Sequence, residues 1–213
     1  MRIKICGITN QADAEEAARL EADAIGLNFY ERSPRFVSEE TACRILRALP
    51  AAVEPVALFV DQSFDAMARV AARLPNVRTI QFHGASFEPC PGDRHCYIPA
   101  FAVENDASLQ AIIKYVERCR SQGQLPHAIL VDAHVYGGSG RTAPWHMLSG
   151  FDPGVPVILA GGLTPENVAE AIRRVRPSAV DVASGVESSP GRKNHEKMRK
   201  FIAEACEAFS IFD

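Results

Sequence analysis

Two glycine-containing loops near the C-terminus have the residue types that bind a phosphate group. One apolar run leads into Gly161 and Gly162, and the next apolar run leads into Ser184 and Gly185. Backbone amides in such loops can surround an anion and donate hydrogen bonds to it. Because the two units follow one another along the chain, we expect adjacent parallel strands whose loops share one phosphate. A pair of tight turns is the alternative interpretation.

A thiol and a carboxylate lie at the ends of two other apolar runs, where they could perform acid–base chemistry. Cys6 follows the first run and Asp132 ends the sixth. A thiolate can act as a general base and a protonated carboxyl group as a general acid. Composition alone favours a packed core thiol for Cys6 and makes a cap or an ion-pair partner an equal alternative for Asp132. Other polar residues at or near predicted strand ends are Asn28, Asp61, His83 and Asp181.

The elements that must position these residues are eight strand–helix units. Strands are predicted at residues 2–5, 24–28, 56–60, 77–82, 96–99 and 128–131, followed by the two strands that precede the glycine loops. Helices are predicted at residues 11–20, 64–74, 107–119 and 193–209, from a Ser38 cap to residue 49, and near Trp145. Thr164 is the predicted N-cap of the helix after strand seven. The proline-rich stretch at residues 89–92 allows only a short or irregular helix in unit four.

Eight such units in 213 residues predict an α/β fold of the (β/α)8 TIM-barrel type, formed by residues 1–213 as a single domain. An open, doubly wound sheet is the alternative. The barrel is favoured because glycine loops after strands seven and eight are a common phosphate site in such barrels. It also predicts that the functional side chains gather at one face, at the carboxyl ends of the strands.

Composition and charge fit a soluble protein with a small ligand. The chain is 47% hydrophobic and 23% charged, with a formal net charge of −3. This charge gives no electrostatic reason to expect nucleic acid or an anionic membrane as a partner. No apolar stretch approaches the roughly 20 residues needed to cross a bilayer, and the N-terminus enters a strand directly, so we expect a cytoplasmic protein. The six cysteines show no CxxC pair or matching histidine spacing, so neither a disulfide framework nor a zinc site is expected.

A series of motifs along the chain narrows the function. They are KICGIT (4–9), SPR (33–35), LFV (58–60), QFHG (81–84), VDAHVYGGSGRT (131–142), LAGGLTPENV (159–168) and DVASGVESSPGRKN (181–194). In this order they resemble the signature set of the phosphoribosylanthranilate isomerase family, over nearly the whole chain. KICGIT at the N-terminus combined with SGVE and PGxK near the end is highly specific, whereas an isolated GGL or GGSG is weak.

The resemblance implies the Amadori rearrangement of N-(5-phosphoribosyl)anthranilate to 1-(2-carboxyphenylamino)-1-deoxyribulose 5-phosphate, a step of tryptophan biosynthesis. It makes Cys6 the general base and Asp132 the general acid, with no metal and no organic cofactor. Arg35 would bind the anthranilate carboxylate, because a guanidinium suits bidentate capture. Asp181 would contact a sugar hydroxyl or the ring nitrogen. His83 is placed with the substrate-binding residues, and a structural role is its alternative.

The expected partner is a small phosphosugar substrate, and the expected assembly is a monomer or a homodimer.

The chemistry makes opposite demands on the two catalytic groups. Cys6 acts as a base only as a thiolate, so its pKa must lie near or below the working pH, or the bound substrate must bring it there. Asp132 must hold a proton at neutral pH, which burial or nearby negative charge would favour.

Three other functions share part of the pattern. The phosphosugar isomerase of the histidine pathway uses paired aspartates at the ends of strands one and five, where this chain has Cys6 and Pro99. A ribulose-phosphate 3-epimerase needs His and Asp metal ligands on several strands. A phosphate-binding module without catalysis is the non-enzyme alternative, and the presence of Cys6, Arg35 and Asp132 together argues against it.

Overall fold

Eight parallel strands form a closed barrel in chain order from the first strand to the eighth. The computed structural model describes residues 2–84, 88–92, 94–133 and 145–212. The strands are β1 (Ile3–Cys6), β2 (Ala24–Asn28), β3 (Glu54–Val60), β4 (Thr79–His83), β5 (Cys96–Ala102), β6 (Ile129–Asp132), β7 (Val157–Ala160) and β8 (Ala179–Val182). The pairing of Lys4 on β1 with Asp181 on β8 closes the barrel. The predicted TIM barrel is confirmed, and the open sheet is excluded.

Helices connect most of the strands. They are α1 (Gln11–Arg19), α2 (Glu39–Ala48), α3 (Phe64–Ala71), α4 (Asp106–Ser121), α5 (Trp145–Leu148), α6 (Val168–Val175) and α7 (His195–Ser210). Residues 88–92, between β4 and β5, form no helix. The glycine-rich residues 137–140 lie outside the described residues. No helix in the described ranges is both long and apolar enough to cross a membrane.

Side-chain caps set where most helices begin. Five caps each accept a hydrogen bond from the backbone N–H three residues later: Asn10, Ser38, Ser63, Asn105 and Asn194. Such caps satisfy one of the N–H groups that a helix start leaves without an intrahelical acceptor. Ser38 begins α2 as predicted.

The core has two layers because alternate residues of each strand face opposite sides of the barrel wall. Outward-facing side chains such as Ile5 and Ile25 pack with the helices, in the large cluster that includes Phe201 of α7. Inward-facing Ile98, Leu130 and Ile158 belong to a smaller cluster with four alanines. This inner cluster fills part of the barrel interior, so polar side chains on β1, β4 and β8 have a packed apolar floor beside them.

Several strands extend further than the sequence predicts. Cys6 and His83 are each the last residue of a strand instead of following it, whereas Asp132 ends its strand as predicted. Strand β5 ends at Ala102, three residues beyond the predicted end at Pro99. Proline lacks a donor, but the parallel pairing with β4 continues past it, and the pairing with β6 begins at Ala100. The end of strand five therefore carries no carboxylate. The histidine-pathway isomerase needs an aspartate at this position, so the difference from that enzyme also holds for the observed strand end.

The prediction that Thr164 is the N-cap of the helix after β7 is wrong by three residues, because the observed cap is Asn167. Regular helix begins at Val168, and residues 164–167 form a turn. The Thr164 hydroxyl accepts from the Glu166 N–H at 3.2 Å. The Asn167 side chain accepts from the Thr164 N–H at 2.8 Å and donates to the Gly162 carbonyl at 2.9 Å. Local side-chain bonds therefore hold this segment as a turn and fix the glycine loop before it.

The chain after β8 contains structure that the sequence does not predict. A short 3₁₀ helix (Ser184–Val186) leads into an antiparallel hairpin of β9 (Glu187–Ser189) and β10 (Arg192–Lys193). Gly191 in its turn has φ +78°, a conformation that favours glycine. The Thr9 hydroxyl donates to the Gly191 carbonyl at 2.5 Å, which ties the hairpin to the loop after β1.

Candidate active site

A cavity of about 430 Å³ opens at the carboxyl ends of the barrel strands. Eight of the nine predicted site residues line it: Cys6, Arg35, His83, Asp132, Gly161, Gly162, Asp181 and Ser184. The ninth, Gly185, lies behind the lining residue Leu163. The structure thus brings the predicted residues together in one place. Asp61, which also follows a strand, is not part of the lining.

Cys6 lies beside a buried ion pair that the sequence analysis did not identify. Lys4 precedes it by two positions on β1, so both side chains point into the barrel. The Lys4 ammonium donates to Oδ1 of Asp181 at 2.7 Å, and the lysine is completely buried. A β-carbon added to Gly26 would lie 2.7 Å from Sγ of Cys6 and 3.1 Å from Nζ of Lys4. The thiol and the ammonium therefore lie side by side over this glycine.

Burial and charge act in opposite directions on this cluster. Burial raises the pKa of Cys6 and Asp181 adds to the increase, while Lys4 and Lys193 oppose it; the net pKa is raised. Burial lowers the pKa of Lys4, but Asp181 and Cys6 more than offset this, so the lysine pKa is raised. At neutral pH the site therefore holds a neutral thiol next to the buried ammonium of Lys4.

Arg35 is held by a carboxylate from the C-terminal hairpin. Its Nε donates to Oε1 of Glu187 at 2.8 Å and its Nη2 donates to Oε2 at 2.7 Å. Lys193 Nζ also donates to Glu187, at 3.1 Å, and to the Ala183 carbonyl at 2.9 Å. These hydrogen bonds to Glu187 raise the pKa of Arg35. The pair uses one edge of the guanidinium, which leaves Nη1 to meet a ligand in the cavity.

The loop after β1 gives Arg35 its place. Gly7 has φ +73°, and a β-carbon there would lie 2.4 Å from Cδ of Arg35. Only a residue without a side chain lets the arginine stem cross the backbone this closely. The glycine of the KICGIT motif therefore leaves the space that the Arg35 side chain occupies.

His83 ends β4 and contacts a second polar residue of the same strand. Gln81 Nε2 lies 3.0 Å from His83 Nε2. In the assigned amide orientation the amide nitrogen donates, so the ring nitrogen accepts and the neutral ring carries its proton on Nδ1. Burial lowers the pKa of His83, partly offset by the Asp132 carboxylate, so the ring is neutral at neutral pH. The buried Oε1 of Gln81 has no hydrogen-bond partner among the described residues.

Asp132 lies at the end of β6, which β7 and β8 separate from β1 in the closed order. It is partly buried and lines the same cavity as Cys6. Its backbone carbonyl accepts from the Val103 N–H at 3.0 Å, which fixes the end of the strand. A carboxyl group and a thiol thus enter the cavity from well-separated strands, with room for a ligand between them.

The two glycine loops lie against each other at the cavity wall. Gly161 and Gly162 have φ values of +90° and +64°. Within the described ranges, the N–H groups of these two residues donate to no backbone group in the turns and loops. A β-carbon on Gly185 would lie 1.8 Å from the Leu163 carbonyl oxygen, so the loops touch through their backbones. The arrangement suits a phosphate bound by amides of both loops.

Sequence reasoning missed four polar residues of the site. Gln81 and Lys4 interrupt apolar strands, and the two-residue period could have shown that Lys4 shares the face of Cys6. The positions of Glu187 and Lys193 depend on the hairpin, which has no strong local signal. Among the described residues, no group of three or more His, Cys, Asp and Glu side chains is placed to hold a metal ion.

The fold and the cavity define an enzyme of the (β/α)8-barrel class, with its candidate active site at the carboxyl ends of the strands. Residues 3–204 match the family model of N-(5'-phosphoribosyl)anthranilate (PRA) isomerase. The chain belongs to this family, as the motifs predict.

Individual relatives agree with this assignment. The chain is 47% identical to the N-(5'-phosphoribosyl)anthranilate isomerase of Acidithiobacillus ferrooxidans, over 95% of this chain and 96% of that protein. It is similar to the crystal structure of phosphoribosyl anthranilate isomerase from Thermotoga maritima, with a TM-score of 0.85 and 38% identity over 97% of this chain and 99% of that one. A further isomerase structure, in complex with reduced 1-(o-carboxyphenylamino)-1-deoxyribulose 5-phosphate, has a TM-score of 0.82 and 35% identity with the same coverage.

Proposed function

We propose that the protein catalyses the Amadori rearrangement of N-(5-phosphoribosyl)anthranilate to 1-(2-carboxyphenylamino)-1-deoxyribulose 5-phosphate in tryptophan biosynthesis, with Asp132 as general acid and Cys6 as general base. Family membership supports the reaction. The observation that carries the mechanism is that Cys6 and Asp132 line the same cavity as the two glycine loops. An acid, a base and a phosphate anchor are the groups that this rearrangement needs.

The first step opens the sugar ring. Asp132 donates a proton to the furanose oxygen while the anilino nitrogen lone pair forms a double bond to C1. The C1–O bond breaks, and the substrate becomes an open-chain iminium cation. The carboxyl group changes from neutral to negative in this step, so it stabilises the cation that it creates.

The second step removes the proton from C2. The iminium makes this proton acidic, and the Cys6 thiolate accepts it to give a neutral enolamine. The enolamine tautomerises to the ketone as the C2 hydroxyl loses a proton and C1 gains one. One proton enters the substrate from Asp132 and one leaves to Cys6, so both groups must exchange protons with solvent before the next turnover.

The raised pKa of Cys6 fits a base that is needed only after ring opening. The thiol is neutral at rest because it is buried near Asp181. The iminium cation forms next to the C2 hydrogen, within the same cavity, and its positive charge favours loss of the thiol proton to solvent, which leaves the thiolate that accepts the C2 proton. The positive charge on the substrate thus helps to stabilise the Cys6 thiolate that removes the C2 proton.

Binding residues fix the substrate between these two groups. We place the phosphate on the amides of Gly161, Gly162, Ser184 and Gly185, as the contact between the two loops supports. Arg35 would bind the anthranilate carboxylate through the guanidinium edge that Glu187 leaves open. Asp181 would accept from a sugar hydroxyl. Neutral His83 would donate through Nδ1 to the substrate.

The first test is the loss of phosphoribosylanthranilate fluorescence when the purified protein is added in the presence of EDTA. We expect rapid turnover that EDTA does not inhibit. Cys6→Ala and Asp132→Asn should each collapse kcat with little change in KM. Cys206→Ala is the matched control, because this thiol lies exposed on α7. A Cys6→Ala variant with near-native turnover would contradict the assigned base.

A further inference from the structure

We propose that Lys4 is a positioning residue for the Cys6 sulfur: its ammonium holds the thiolate form in place for proton abstraction, and Asp181 holds the ammonium. This inference rests on the proposed function, because it gives Lys4 a role through the assigned base. It also gives Asp181 a second role besides contact with the sugar. It adds to the site a residue that touches neither the phosphate nor the aromatic ring in the proposed mechanism.

The geometry places the charge beside the thiol. Lys4 and Cys6 lie on the same face of β1, and the lysine side chain is completely buried. Nζ and Sγ both flank the space over Gly26, where an added β-carbon would lie within 3.1 Å of each. Asp181 lies on the neighbouring strand β8 and is only 8% exposed, and its Oδ1 accepts a hydrogen bond from the Lys4 ammonium at 2.7 Å. A lysine in this position is too constrained to turn away from the sulfur.

Stability alone gives little reason for this buried pair. Removing two charges from water costs several kcal/mol per ion, and well-packed apolar residues of similar volume are often equally stabilising or better. Another part of the inner barrel wall is filled by such residues, including Ile98, Leu130 and Ile158. A buried ammonium next to a cavity-lining thiol is therefore better explained by its charge than by its packing.

The charged groups that face Cys6 come from several elements, and their signs differ. Lys4 on β1, Lys193 on β10 and Arg35 in the loop after β2 are cationic, whereas Asp181 on β8 is anionic. Gly26, the neighbour on β2, has no side chain. Among these charges Lys4 has the largest effect that lowers the pKa of Cys6. Removal of Lys4 should therefore raise the pKa of the Cys6 thiol, and removal of Asp181 should lower it.

The test measures the ionisation of Cys6 in the free enzyme. Iodoacetamide alkylation of the Cys6 peptide is followed by mass spectrometry as a function of pH, which separates this thiol from the other five. Lys4→Met should move the midpoint upward by about one pH unit or more, since a close opposite charge shifts a pKa by roughly 1–3 units. Asp181→Asn should move the midpoint downward. Lys200→Met, whose ammonium is exposed on α7, is the matched control and should leave it unchanged.

A double variant keeps the test decisive if Lys4→Met does not fold, because that variant leaves Asp181 buried without its cation. Lys4→Met with Asp181→Asn removes both charges. Its midpoint should lie above that of Asp181→Asn alone, again by about one pH unit or more. Equal midpoints in these two variants, or shifts of the same sign in the two single variants, would overturn the proposal.

Alkylation needs no substrate, so its outcome is independent of the proposed reaction. If the midpoint moves as expected and the rising limb of kcat/KM against pH moves with it, both proposals are supported. If the midpoint moves and the kcat/KM profile does not, the charge coupling stands and Cys6 is not the base. If the alkylation midpoint of Lys4→Met equals that of the wild type and the enzyme is active, the proposed reaction stands and the proposed role of Lys4 is wrong.

Discussion

Arg35 and Glu187 form a bidentate ion pair although they are 152 positions apart in the chain. Glu187 also accepts from Lys193, so one carboxylate holds two cations at the rim of the cavity. Parallel hydrogen bonds fix the plane of the guanidinium as well as its position. The edge of Arg35 that faces the cavity is thereby oriented before any ligand arrives.

This relationship makes Glu187→Gln informative. Without the charged anchor, Arg35 loses its fixed orientation, and we expect KM for phosphoribosylanthranilate to rise about tenfold with a smaller change in kcat. The magnitude follows from the ~1.5–3 kcal/mol of a hydrogen bond to a charged group. Glu196→Gln is the control, because that carboxylate pairs with Arg199 on the exposed face of α7. An unchanged KM in steady-state assays would show that Glu187 does not position Arg35.

The space over Gly26 gives a prediction about Cys6. In Gly26→Ala the new methyl group would lie 2.7 Å from Sγ, so the thiol must move. Misplacement of a reacting group by about 1 Å can reduce the rate about 100-fold, and we expect a fall of this order in kcat. Gly92→Ala is a matched control, since no atom lies within 4 Å of its added β-carbon. Wild-type kcat in Gly26→Ala would contradict the assigned geometry.

The contact between the two glycine loops can be tested at Gly185. A methyl group there would lie 1.8 Å from the backbone oxygen of Leu163, which cannot move without displacing the β7 loop. We expect Gly185→Ala to weaken competitive inhibition by inorganic phosphate and to destabilise the protein by about 1–3 kcal/mol, the usual cost of overpacking. Inhibition assays and thermal unfolding measure the two effects. An unaltered inhibition constant would separate Gly185 from phosphate binding.

The lowered pKa of the buried His83 leads us to expect that the stability of the protein depends on pH. Burial lowers its pKa from the ordinary 6.5, so below that pH the unfolded chain binds a proton that the folded chain resists. The free energy of unfolding should therefore decrease as the pH falls from about 6.5 through the lower folded pKa. His83→Asn should flatten this part of the curve, as denaturant titrations at several pH values would show. His127→Asn, at an exposed position, should retain the slope of the wild type.

Much of the fold follows from local sequence signals. The apolar runs and their turn residues define eight units, and the glycine loops after strands seven and eight favour a closed barrel over an open sheet. The strand ends then bring Cys6, His83 and Asp132 to one face. Because side-chain period and strand direction are local properties, these residues can be assigned without knowledge of distant contacts.

The charge partners of the site could not be predicted in the same way. Lys4 and Asp181 meet only because β8 closes against β1, and Arg35 meets Glu187 only because a hairpin follows the 3₁₀ helix. These pairings depend on register and on long-range packing, which periodicity does not encode. The shift of the helix N-cap from Thr164 to Asn167 has a local origin instead, since the Asn167 side chain competes for the same backbone groups.

The ion pair between Lys4 and Asp181 joins residues 177 positions apart, near the two ends of the chain. During synthesis the thiol on β1 leaves the ribosome before β8, the last of the eight barrel strands, which supplies its neighbouring carboxylate. A nascent chain that lacks β8 has no partner for the Lys4 ammonium and no closed wall beside Cys6. The proposed acid–base site is therefore complete only after barrel closure, so the acquisition of activity by the growing chain would report that closure.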